Sequence, residues 1–193
     1  MMFEIVIKKM VSHGIIENED SEIYLYGLKS MFLYVLYFTF SILSAILMKQ
    51  MYIYVLLIFL GMGLRRNMGG VHLTKVYSCF LMSLIYTFVP LWLCSRRIIS
   101  SGKDLYVCAI VLDLLTIVLT VRFGVVKHKN KIYTEFLIKK SKRNAIIIEI
   151  VIAFISVGAL LFQKKNILLL IVYILLTQIL SFGLAVQKKI GKT

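Results

Sequence analysis

Long apolar runs divided by short polar or basic stretches are the dominant pattern of this chain. Six runs follow one another, at about residues 29–48, 51–64, 71–93, 105–121, 145–162 and 167–186. A helix crossing a bilayer needs ~20 mostly apolar residues, so the pattern predicts an all-α polytopic membrane bundle of about six transmembrane segments. The second run is short. Its 14 residues cover roughly 21 Å as a helix, less than a ~30 Å hydrocarbon core, so it must lean on its flanks, thin the bilayer or turn back.

Ahead of the first run, residues 3–16 place Ile5, Met10 and Ile16 near Lys8, Lys9 and His13. Apolar and basic residues mixed in this way predict an amphipathic helix, either lying in the membrane interface or packed under the bundle. The acidic patch Glu17, Glu19, Asp20 and Glu22 marks a polar turn before the next helix. The expected organisation is therefore a single membrane domain: N-terminal interfacial helices over residues 1–28, a transmembrane bundle over 29–187, and a basic loop at 122–144 whose IYTEFLIKK portion can form a short surface helix.

Orientation follows from the loop cations, because cytoplasmic loops are enriched in Lys and Arg. With six crossings and a cytoplasmic N-terminus, 17 of the 23 Lys and Arg residues fall inside. This bias predicts cytoplasmic termini and puts Arg65, His72 and the basic loop on the cytoplasmic side. A re-entrant second segment would invert every later assignment.

Composition agrees with the pattern. Of the 193 residues 60% are hydrophobic, with one Pro and a mean hydropathy of +0.90, too much apolar surface for one soluble core. The net charge of +14 is loop charge between spans. No soluble basic domain exists to carry nucleic acid, and nucleic acid is excluded as a partner. Three cysteines, Cys79, Cys94 and Cys108, form neither an even disulfide framework nor a metal-binding spacing. No cofactor or metal is expected. The N-terminus lacks the order of a cleavable signal peptide, since charge follows the first apolar residues and no small-residue cleavage site is present.

The chemistry concentrates in one stretch, LRRNMGGVHLTKVYSCFLMS, from Leu64 to Ser83. A cysteine is a nucleophile as its thiolate, and an imidazole is a common base for making one near neutral pH. His72 and Cys79 supply that pair. Seven residues of regular helix would return both to one face but separate them by ~10.5 Å along the axis, well beyond a ~3 Å contact between nucleophile and base. Gly69 and Gly70 allow the backbone to leave helical geometry just before the histidine. The expectation is a His72 on a loop or distorted first turn, with Cys79 about two turns into the helix. Arg65 and Arg66 are suited to a substrate carboxylate or a lipid phosphate. Read without context, such residues are more often a buried small hydrophobe, a boundary histidine and topogenic arginines.

The whole pattern, RRxxGGxH followed by Cys at the seventh position and set at the start of a third apolar segment, resembles the accessory gene regulator B (AgrB) family. The matching residues are Arg65, Gly70, His72 and Cys79; Leu73 departs from it, where a small residue would be expected. The resemblance spans nearly the full chain in length, span arrangement and basic loop, and its specific motif covers about 15 residues. It implies a bacterial cell-membrane cysteine endopeptidase that cuts the precursor of a cyclic quorum-sensing peptide. An AgrD-like precursor is then the partner, alongside membrane lipid and a second copy in a homodimer. It further implies an enzyme thioester at Cys79, resolved by a thiol or hydroxyl of the precursor into a thiolactone or lactone. The basic loop, with Lys139, Lys140 and Lys142, would attract an acidic precursor tail through charge, or serve topology alone.

Two carboxylates sit inside apolar runs, where an ionisable group invites a functional reading. Asp113 lies mid-span in the fourth and Glu149 about a turn into the fifth. Each is a structural polar contact or the group that orients His72. Gln178, Ser83, Ser156 and the threonines read as interhelical hydrogen-bond partners, Trp92 and the tyrosines near span ends as interface anchors, and His128 as a solvated loop residue. A rival class uses Asp113 and Glu149 as the intramembrane charges of a small peptide or ion transporter; a third is a non-catalytic scaffold.

Overall fold

In the computed structural model the described residues are 2–69, 76–96, 102–123 and 134–190. They form helices throughout. Helix α1 (Met2–Ser12) precedes α2 (Ser21–Leu47). The second apolar run forms α3 (Met51–Leu56), a π-helical stretch (Leu57–Met62) and α4 (Gly63–Met68) in unbroken succession. Then come α5 (Val76–Arg96), α6 (Gly102–Phe123), α7 (Glu135–Leu161) and α8 (Lys165–Ile190).

Among the described residues five helices are long and apolar enough to cross a membrane: Asn18–Leu47, Tyr77–Arg96, Gly102–Phe123, Glu135–Leu161 and Lys165–Gln187. The short second run extends past its expected end at Leu64, because Arg65 to Met68 continue the helix. Three pieces of six residues each give roughly 27 Å at about 1.5 Å per residue. This element is also the hub. Ile53, Leu57, Leu64 and Met68 are fully buried, and it packs on α2, α5, α7 and α8. A segment surrounded by helices has no need to match the lipid thickness by itself.

Polarity is arranged inside out relative to a water-soluble protein. Leu47, Phe154 and Leu161 are more than 70% exposed, whereas Thr87, Thr116, Thr120, Glu149, Ser156 and Gln178 are buried. A contiguous apolar exterior of this extent requires lipid around it. The chain is a membrane protein.

Two αα-hairpins close one end. In the first, Gln50 N–H donates to Ala45 O and Lys49 N–H to Ile46 O, with Lys49 left-handed at φ 55°. In the second, Lys164 N–H donates to Ala159 O and Gln163 N–H to Leu160 O, with Gln163 at φ 54°. Both are the paired bonds of a Schellman cap, here built without glycine. At the other end α1 packs beneath α2, with Ile7 buried and Phe3 edge-on to Phe32 at 5.4 Å. Ile5 and Val6 stay exposed, so α1 combines the packing and interfacial roles.

Helix α7 begins ten residues before the expected start of the fifth run. Thr134 caps it by accepting from Leu137 N–H at 3.3 Å, which satisfies one orphan donor of the first turn. The basic stretch is therefore not a loop as far as Asn144. Lys139, Lys140, Lys142 and Arg143 stand on a helix, and Glu149 lies about four turns into it, deeper than the sequence pattern suggests.

Candidate active site

Helix α5 carries Cys79 on a polar face that repeats every fourth residue. Ser83 Oγ donates to Cys79 O at 2.9 Å and Thr87 Oγ1 to Ser83 O at 3.1 Å. Thr87 also meets the hydroxyl of Tyr37 on α2 at 2.7 Å. In lipid these hydroxyls must find protein partners, and the nearest free lone pair is often the carbonyl one turn back.

Cys79 is half-buried and in no disulfide, and it opens onto two cavities. One, of about 360 Å³, lies between α5 and α8, with Arg65, Met82, Tyr86, Tyr173 and Gln178 in its wall. The other, of about 260 Å³, lies between α5 and α2, with Ser30, Tyr34, Tyr37 and Ser83 in its wall. On a helix at about 100° per residue, Met82 and Tyr86 fall to one side of Cys79 and Phe80 and Ser83 to the other. The cysteine is the ridge between the two clefts. Met62 and Arg65, three residues apart on the second run, each face one of them.

The cleft next to α8 is held open by three devices. Pro90 inside α5 cannot donate to the carbonyl four residues back, and the hydroxyl of Tyr173 donates to that carbonyl, Tyr86 O, at 3.1 Å, supplying the missing bond. The rings of Tyr86 and Tyr173 lie 5.6 Å apart. Gly61, in the π-helical stretch, provides the space for the Tyr86 hydroxyl, because a Cβ there would collide with it. Finally, Gln178 Nε2 donates to Gly69 O at 3.1 Å. Gly69 ends α4 at φ 82°, a conformation that favours glycine, so the buried amide of α8 fixes the point at which the chain leaves the hub helix.

Gly70 and His72 lie outside the described residues, as does His128. Arg65 is half-buried in the α8 cleft, while Arg66 is exposed and lines neither cavity. Lys139 and Lys140 are exposed; Lys142 Nζ donates to Val121 O at 2.9 Å near the end of α6, where a cation suits the helix dipole.

The carboxylates are placed elsewhere. Asp113, Thr116 and Thr120 share one face of α6, and Thr120 Oγ1 donates to Glu149 Oε1 at 2.9 Å. Glu149 Oε2 and Asp113 Oδ1 have no hydrogen-bond partner among the described residues. Neither residue lines the cavities that meet at Cys79. Cys94 is buried against Asn166 O and Cys108 is exposed; both are free. Among the described residues no cluster of His, Cys, Asp and Glu could hold a metal.

The sequence does not single out Tyr86 or Tyr173, and it marks Thr177, Gln178 and Ser83 only as interhelical contacts. One signal was available for part of this: a proline inside an apolar run leaves the carbonyl four residues upstream in need of a donor.

Fold and cleft together define a class: a helical membrane protein with a thiol at the junction of two interhelical cavities. The family model for Accessory gene regulator B (AgrB) matches residues 3–182, and the chain belongs to that family. Membership gives it a part in processing the quorum-sensing peptide of an accessory gene regulator system, acting on a precursor peptide. No curated protein matches the chain, and no solved structure does.

Proposed function

We propose that the protein is a membrane cysteine endopeptidase that cuts an autoinducing-peptide precursor through an acyl-thioester on Cys79. His72 takes the thiol proton. The sulfur attacks the scissile carbonyl, an S–C bond forms, and the C–N bond breaks as the imidazolium returns the proton to the departing amine. A thiol or hydroxyl within the retained acyl segment then attacks the thioester, closing a thiolactone or lactone ring and restoring the Cys79 thiol. Confinement among lipid-covered helices favours ring closure over hydrolysis by keeping water scarce.

The observation that carries this reading is the position of Cys79 at the meeting point of two cavities beside Arg65. A buried inert cysteine, as Cys94 is, would have no space for a substrate. The setting is the bacterial cell membrane with both termini cytoplasmic, the enzyme works as a homodimer, and Arg66, Lys139, Lys140 and Lys142 attract the precursor's tail by charge. The test is mass spectrometry of a co-expressed precursor. Cys79→Ala is expected to abolish the product at unchanged protein level, and His72→Ala to do the same. Product from either variant removes the residue from the mechanism.

The transporter reading draws on one observation, the unpartnered oxygens of Asp113 and Glu149 inside the bundle. It requires loss of function in Asp113→Asn and tolerance of Cys79→Ala, the opposite of the peptidase pattern.

A further inference from the structure

The two cavities at Cys79 differ in chemistry. The wall of the α2 cleft carries hydroxyls, from Ser30, Tyr34, Tyr37 and Ser83, and, among the described residues, no charged group. The wall of the α8 cleft carries the Arg65 guanidinium and the Gln178 amide. A peptide cut at Cys79 has two parts with different needs. The acyl part stays on sulfur while it folds back on itself, and its backbone N–H and C=O groups need partners in a place where lipid offers none. The departing part must reach water.

We propose that the residues on the acyl side of the cleaved bond sit in the α2 cleft, held by its hydroxyls, and that the departing segment leaves through the α8 cleft past Arg65. Ser30 Oγ supports this assignment: it is buried in the α2 cleft with no hydrogen-bond partner among the described residues, and a substrate carbonyl or N–H would satisfy it. Thr177 and Leu180 lie on the far side of α5, in the other cavity, and contribute nothing to the acyl side. The assignment rests on Cys79 being the nucleophile, and the acyl ligand is an uncharged peptide segment.

Peptidyl chloromethyl ketones isolate the acyl side, because they carry a side chain only on that side of the reacting carbon. The thiolate displaces chloride, forming an S–C bond as the C–Cl bond breaks. The purified full chain in detergent is treated with benzyloxycarbonyl-Phe and benzyloxycarbonyl-Gly chloromethyl ketones, and alkylation of Cys79 is followed by intact mass, with Cys79→Ser as blank. Ser30→Leu narrows the α2 cleft and is expected to lower the Phe-to-Gly rate ratio about tenfold, the order that a few methylenes decide in a specificity pocket. Thr177→Leu in the α8 cleft is expected to leave that ratio unchanged. Leu33→Phe narrows the same α2 wall and replaces Ser30→Leu if that variant is not monodisperse. A ratio that falls in Thr177→Leu instead, or in neither variant, overturns the assignment; the second outcome makes the α2 cleft a lipid groove. Failure of the peptidase reading is seen separately, as alkylated Cys79 in a protein whose co-expressed precursor stays uncut.

Discussion

Around Cys79, polar side chains border open space; between α6 and α7, they are closed in by helix packing. The thiol faces two cavities, and its neighbours Tyr173 and Gln178 are spent on backbone repair: the Tyr86 carbonyl freed by Pro90 and the carbonyl that ends α4. Asp113 and Glu149 have more intrinsic reactivity as acids and bases, yet both are buried, Glu149 against Thr120, and one oxygen of each is unpartnered among the described residues. The contrast separates reactivity from access. A buried carboxyl in a membrane invites a catalytic reading, but a peptide bond can be cut only where a peptide fits.

Substitutions can break this contrast in order of expected effect. After the loss of product in Cys79→Ala, the largest change belongs to Gly61→Val. Its side chain displaces the Tyr86 hydroxyl, so the α8 cleft deforms. The cost is about 1–3 kcal/mol, as for other overpacked sites, and product measured by mass spectrometry drops more than the thermal midpoint would suggest. Next comes Gln178→Leu, which leaves Gly69 O without its donor at about 1–3 kcal/mol. Product should fall about tenfold, and unaltered product would detach the end of α4 from the site. Thr120→Val sharpens the other half. It removes the hydrogen bond that Thr120 gives Glu149 and should lower stability by about 1–3 kcal/mol, read as a lower thermal midpoint, with the same turnover per folded molecule. A turnover loss there would bring the carboxylates into the chemistry.

The smallest effect is the most specific. Tyr173→Phe should cost about 1 kcal/mol through the carbonyl of Tyr86. In a Pro90→Ala background the helix restores its own N–H donor, so Tyr173→Phe should cost almost nothing further. A double-mutant cycle on the thermal midpoint reads the coupling, and additive effects would refute the repair.

Much of this was legible in the sequence. Five of six apolar runs are helices of spanning length, and the motif from Arg65 to Cys79 pointed to the family that residues 3–182 match. The basic stretch reads as a loop with a short surface helix in it, whereas Thr134 caps one helix that carries Lys139 to Arg143 without a break into the fifth span. The second run looked too short since hydropathy stops at Leu64, while the helix continues through its arginines to Met68. Asp113 and Glu149 stood out because apolar neighbours make any carboxylate conspicuous, which says nothing about what lies beside it in space.

The sequence by itself determined that this chain is helical, lives in lipid and carries its thiol at the start of the third run. Those properties follow from local composition, summed over one helix at a time. Only the tertiary structure decided that the shortest run is the buried hub, that Cys79 rather than Glu149 borders open space, and that Gln178, 109 residues away in the chain, holds Gly69. Each of these depends on which faces of separate helices meet, a relation between distant segments that no local pattern encodes.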